Sequence, residues 1–240
     1  MPDLPDERTK VELPLIAQLR GMAWQHVEGD TEVPAFTERE SFRDVLLVRR
    51  LRAALRRINP EDGRPWLDDS RIAEAVGALE RLGASRLMEA NGIATDLLLH
   101  GTTVDGDPIL HGGREQTVRY IDFEHPERND FLAINQFRVD QPGGQGYIIP
   151  DLVLFVNGIP LVVIECKSPA ATNPMEEGIT QLLRYSNARE WVHANEGVER
   201  LFHYNQVMIA TCWYEARVAT VGASYEHYLQ WKDTSPSAPV

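Results

Sequence analysis

Three ionisable side chains, Asp151, Glu165 and Lys167, interrupt the most apolar stretch of the chain, which runs from Ile148 to Lys167. A carboxylate set among β-branched residues is costly unless something cationic compensates it. Two of them converging there point to a hard divalent cation held by oxygen ligands. Glu165 and Lys167 stand two residues apart, so on a strand they share a face. A lysine beside two carboxylates stays protonated, which suits it to orient a water or to stabilise developing negative charge rather than to serve as a base. The trio also has a structural reading, a buried salt bridge that locks two strands together.

The element that must position them is a hairpin. Ile148 to Val156 and Leu161 to Cys166 are β-branched runs joined at Asn157-Gly158, a dipeptide tolerant of positive φ. With that pair alone as the loop, Asp151 would fall opposite Ile164, on the wrong face. Pro160 has no N–H to give to a ladder, so a longer loop or a bulge is expected there. That slip pairs Asp151 with Glu165.

Pro150-Asp151 followed by Glu165-Cys166-Lys167 matches the PD-(D/E)xK pattern of restriction-endonuclease-like nucleases. Further stretches extend the match: Ile121-Asp122-Phe123, Asn129-Asp130-Phe131, Asn135-Gln136-Phe137, Asn157-Gly158-Ile159-Pro160 and Gln181-Leu182-Leu183-Arg184-Tyr185. Together they resemble the amino-terminal nuclease domain of the R (restriction and motor) subunit of type I restriction enzymes, over about Arg49 to Lys232. The ordered set is far more specific than the short pattern alone.

The resemblance implies an α/β fold: a restriction-endonuclease-like mixed β-sheet core flanked by helices, with an N-terminal helical layer. It implies Mg²⁺-dependent hydrolysis of phosphodiester bonds in double-stranded DNA, with Mn²⁺ as a substitute. Asp151 and Glu165 would bind the metal with the backbone carbonyl of Cys166, and Lys167 would complete the catalytic set. Family nucleases often add an acid from their first helix, which makes Glu12 a candidate ligand. Gln181 and Tyr185, four apart on a helix, match a Gln-xxx-Tyr motif with a supporting or DNA-contacting role. Methylation and specificity subunits are the implied partners, with ATP used only by motor domains. Two alternatives stand beside this reading: a stand-alone PD-(D/E)xK repair or recombination nuclease, and a non-catalytic docking module with a vestigial site.

The net charge of −12 argues against a free-standing, tight DNA binder. The resemblance answers this, because in type I enzymes another subunit recognises the DNA and motor domains pull it. These 240 residues contain no G-x-x-x-x-G-K-[ST] phosphate loop, so a motor is expected to lie beyond them. No apolar run reaches the ~18 residues of a membrane span, and the acidic start is unlike a secretory signal, so a soluble, cytoplasmic protein is expected. Cys166 and Cys212 form neither a zinc motif nor a disulfide framework.

Residues 1–8 are expected to be disordered, 9–232 to form the nuclease domain, and 233–240 to be a linker-like tail. Within the domain, 37–100 read as a helical layer and 115–222 as the sheet core with a helix over 174–188. Thr9 is a cap candidate for a first helix that ends at Gly21. Thr37-Glu38-Arg39-Glu40 reads as a capping box opening one long helix to Ile58, with Phe42, Val45, Val48, Leu51 and Leu55 as its stripe. That segment carries seven arginines against three acids, a formal +4 where the rest of the chain holds −16. A DNA-phosphate track and a solvated arginine face are both open readings of it. Helices follow from Asp69 or Ser70 and from Ser85, and Val118 to Phe123 with Phe131 to Phe137 read as a hairpin. Pro142 to Gly146 reads as a mobile connection, Asn173-Pro174 starts a helix, and Val207 to Cys212 and Arg217 to Val221 read as strands. Residues 189–205, with Trp191 and His193, show no clear pattern.

Overall fold

The computed structural model describes residues 7–84, 86–188 and 196–231. The first six residues of the expected disordered start, the helix start at Ser85, Trp191, His193 and the tail 233–240 lie outside the described residues.

A helical stretch runs without a break from the π-helical turn Arg8–Glu12 into α1, Leu13–Gly21. It already includes Glu7 and Arg8, so Thr9 is not its cap. Then come β1 (Gln25–Glu28), α2 (Val48–Ile58), α3 (Asp69–Glu80) and α4 (Leu87–His100). Thr102–Val104 (β2) pairs with Gln116–Val118 (β3) in a small antiparallel ribbon. Phe131–Asn135 (β4) precedes the ribbon Val139–Asp140 (β5) and Tyr147–Ile148 (β6). The central hairpin is Leu152–Val156 (β7) and Ile159–Cys166 (β8). Pro174–Tyr185 (α5), Glu199–Phe202 (α6), Val207–Cys212 (β9), Glu215–Ala219 (β10) and Leu229–Gln230 (β11) complete the order.

Among the described residues, seven strands form one mixed sheet in the order β1-β4-β7-β8-β9-β10-β11. β1 runs parallel to β4, and β8 parallel to β9; the other neighbours are antiparallel. Helices cover both faces. Val11, Ile16 and Leu19 of the first helical stretch pack on Ala133, Leu152, Leu154, Ile164 and Cys166. The other face joins α2 to α5 in the larger core, where Leu51, Ile72, Leu98 and Ile179 meet Val153, Phe155 and Val163. This is the restriction-endonuclease-like α/β architecture. No helix among the described residues is long and apolar enough to cross a membrane.

Two further expectations are corrected. The long helix from Thr37 does not form: Pro34–Thr37 is a 3-10 turn, Glu38 takes φ +60°, and helix begins only at Val48. Side-chain contacts outcompete the helical period there, since Arg39 is buried with its guanidinium 3.7 Å from the Phe137 ring centre and Arg50 grips both Glu38 and Asp130. Strand 118–123 does not pair with 131–137. Asp122 instead accepts from the backbone N–H of Glu124 and His125, and Asn129 Oδ1 accepts from the Asp122 N–H, which closes a turn. Helix α4 runs through Asn91-Gly92, and the Asn91 amide donates to the carbonyls of Phe202, His203 and Asn205.

The central hairpin adopts the slipped register. Asn157 and Gly158 both take positive φ, +54° and +81°, in a two-residue turn. Phe155 pairs with Pro160, but Leu154 pairs with Val162, so Leu161 is the extra residue of a bulge. Beyond it Leu152 faces Ile164, which brings Asp151 beside Glu165. A Cβ on Gly158 would lie 2.6 Å from the Leu47 carbonyl oxygen, so this turn also seats the start of α2.

Candidate active site

Asp151 enters the sheet just ahead of β7, and its backbone carbonyl accepts from the Gln136 N–H at 3.0 Å. Its Oδ2 accepts from the Cys166 N–H at 2.7 Å, which ties the carboxylate to β8. Glu165 is fully buried, and its Oε1 meets no hydrogen-bond partner among the described residues. Lys167 Nζ lies 3.2 Å from Glu165 Oε2 and 4.0 Å from Asp151 Oδ2. The structure therefore brings Asp151, Glu165 and Lys167 together at one end of the hairpin.

The electrostatics follow from burial and crowding. Burial pushes the Glu165 carboxyl well above its usual range, and the neighbouring Asp151 pushes it further against the pull of Lys167. Burial alone would depress Lys167, but the charges of Glu165, Asp151 and Glu7 outweigh it and hold the ammonium above its ordinary value. Glu7 escaped the sequence reading. Its Oε1 is 3.7 Å from Lys167 Nζ and its Oε2 accepts from the Ser168 N–H at 3.2 Å.

Glu12 is nearly inaccessible, and burial raises its carboxyl above the ordinary value. The Asn135 amide opposes that rise by donating to Oε1 at 2.8 Å, while the negative charge of Asp151 adds to it. The Cys166 thiol is buried, and burial, then the charges of Asp151, Glu165 and Glu12, push it up. On the opposite side of the hairpin, Gln181 Nε2 donates to the Tyr185 hydroxyl at 2.7 Å, and that hydroxyl donates to the Ile149 carbonyl at 3.0 Å. Tyr185 thus holds the backbone two residues ahead of Asp151. Burial raises its phenol, and Glu165 and Asp151 raise it further. Helix α5 reaches this position because Gly178 lies flat on β9; a Cβ there would meet Ala210 Cβ at 3.0 Å and Lys167 Cγ at 3.4 Å.

The donor set fits a hard cation in chemistry: carboxylate oxygens, one of them buried without a donor, beside a lysine. Among the described residues, no three His, Cys, Asp or Glu side chains are close enough to grip an ion by themselves. The protein thus offers two adjoining carboxylates, with Glu12 behind them, and leaves other positions for water or a phosphate oxygen, as suits Mg²⁺. The arginines of α2 are mostly engaged elsewhere: Arg50 with Glu38 and Asp130, Arg52 and Arg56 with Asp69, and Arg57 with the Arg128 carbonyl.

Residues 5–227 match the family model described as type I restriction enzyme R protein N terminus. The chain belongs to this family. Among curated proteins, this R-protein N-terminal domain is 29% identical over 227 residues to the type I restriction enzyme HindI endonuclease subunit of Haemophilus influenzae, covering 92% of the chain and 20% of that relative. It is 25% identical over 225 residues, again 92% and 20%, to a Methanocaldococcus jannaschii protein with the provisional name type I restriction enzyme MjaIXP endonuclease subunit. The domain spans about a fifth of the length of these relatives.

Proposed function

We propose that this domain is the DNA-cleaving unit of a type I restriction enzyme R subunit, hydrolysing phosphodiester bonds with Mg²⁺. The observation that carries this reading is the meeting of Asp151, Glu165 and Lys167 at the open end of the hairpin, beyond the bulge, with a buried Glu165 oxygen that no donor among the described residues satisfies. Asp151 and Glu165, with the Cys166 carbonyl, would hold the metal. When bound, it supplies Lewis-acid polarisation of the scissile phosphate and acidifies a water.

The chain's own residues do the rest. Asp151 is fixed by the Cys166 N–H, and Tyr185 holds the backbone on which Asp151 sits. Lys167 keeps its proton beside Glu165, Asp151 and Glu7, which assigns it charge stabilisation or water orientation rather than proton abstraction. Glu165 releases its proton when a cation takes the proton's place. In the full-length R subunit, ATP-driven motor domains would move the DNA, and methylation and specificity subunits would recognise it.

The test is cleavage of plasmid DNA by the assembled enzyme, supplied with ATP and Mg²⁺. Asp151→Ala, Glu165→Ala and Lys167→Ala in the R subunit should each lower cleavage by at least about 10²-fold while ATP hydrolysis and folding persist. Cleavage at the unsubstituted rate would contradict the assignment. Loss of folding in all three would favour a salt bridge that merely locks the hairpin.

A further inference from the structure

Glu12 is the inner end of a hydrogen-bond chain that starts at the surface. Arg20 Nη2 lies 2.8 Å from His26 Nδ1. His26 Nε2 lies 2.9 Å from Asn135 Oδ1, and Asn135 Nδ2 lies 2.8 Å from Glu12 Oε1. The links come from α1, β1, β4 and the first helical turn.

The direction of every proton in this chain is forced from its outer end. A guanidinium can only donate, so His26 Nδ1 must be the bare, accepting nitrogen. The ring proton then sits on Nε2, which donates to Asn135 Oδ1. With its oxygen so used, the Asn135 amide turns its N–H₂ to Glu12. Asn135 is itself buried, so no water substitutes for these partners without rearrangement.

We propose that Arg20, His26 and Asn135 are positioning residues that hold the Glu12 carboxylate against the Asp151–Glu165 centre. This rests on the metal-nuclease reading above and extends it to an outer layer of residues. A glutamate has three rotatable bonds; pinned at Oε1, it keeps its place beside Asp151 rather than swinging away. Outer partners of a metal centre are typically worth 10- to 100-fold in metal affinity. β1 therefore contributes a site element as well as a sheet edge.

The experiment uses the 240-residue chain with ¹⁵N-labelled histidine and Mn²⁺ as the probe. Long-range ¹H–¹⁵N spectra of the metal-free protein at neutral pH should show His26 as the Nε2–H tautomer. Calorimetric titration should show Mn²⁺ affinity falling about 10-fold or more in His26→Ala. His26→Gln, whose side-chain N–H can still serve Asn135 Oδ1, should recover most of that loss. An Nδ1–H tautomer or an imidazolium would overturn the chain of donors. Wild-type Mn²⁺ affinity in His26→Ala, with binding lost in Glu165→Ala, would overturn the positioning role alone. A wild-type chain that binds no Mn²⁺ while His26 shows the expected tautomer would overturn the metal-centre reading and the role built on it.

Discussion

At Glu165, burial and a neighbouring carboxyl act in the same direction, and that makes the site measurable before any DNA is added. Its folded-state pKa stands well above the unfolded value, so the folded protein holds a proton that the unfolded chain releases. The stability this proton contributes is complete below the unfolded pKa, near 4.5, and is lost as pH rises through the raised folded value. With a chelator present, the melting temperature of the wild type should therefore fall as pH rises above about 4.5, and Glu165→Gln should flatten that fall. Parallel profiles for the two proteins would show that Glu165 is not strained by burial. The chemistry at this scale was legible where residues are close in sequence, as with Glu165 and Lys167. Contacts spanning long intervals were not: Asn135 reaches Glu12 across 123 residues and the Ser168 N–H reaches Glu7 across 161, and no local pattern announces either.

The hairpin is the element that sets the site, and its turn is held by more than its own φ angles. The Asn157 side chain is fully buried: its Oδ1 accepts from the Asp130 N–H at 2.8 Å, and its Nδ2 donates to the Tyr120 carbonyl and to Asn129 Oδ1, both at 2.8 Å. Asn157→Ala strands these partners and keeps the positive φ, so it should cost about 3 kcal/mol in urea unfolding. A loss under about 1 kcal/mol would mean the loop at 120–130 carries the turn without it. The slipped register was legible from Pro160, whose missing N–H leaves a bulge as the natural outcome. β1 was not legible. Its four residues, Gln25-His26-Val27-Glu28, show no apolar alternation because they form a sheet edge, where polar side chains are the rule. The long helix expected from Thr37 failed for a different reason: the apolar residues Phe42 and Val45 are buried by a coil rather than by a helix, so their burial was read correctly and their conformation was not.

For the whole molecule, the net charge of −12 and the internal pairing of the α2 arginines set a limit on DNA affinity. Without the rest of its R subunit, the domain should bind non-specific DNA more weakly than about 10⁻⁴ M at ~150 mM salt, measured by fluorescence anisotropy. Micromolar binding would instead favour a nuclease that finds its own substrate. The fold class and the family were both legible, because the stretches quoted above are distributed along the sheet core rather than confined to the site. A cation bound by the folded state alone must also stabilise it, by about 2.7 kcal/mol at ~100 times its Kd. For a domain of this size that is roughly 5–10 °C in melting temperature, reversed by chelation.

The most direct test of the central claim is calorimetric titration of Mn²⁺ into this chain and into Glu165→Ala, without DNA. The account predicts saturable binding to the wild type that disappears in a variant still folded by circular dichroism. Equal binding to both, or binding to neither, would contradict a metal centre built on Asp151 and Glu165.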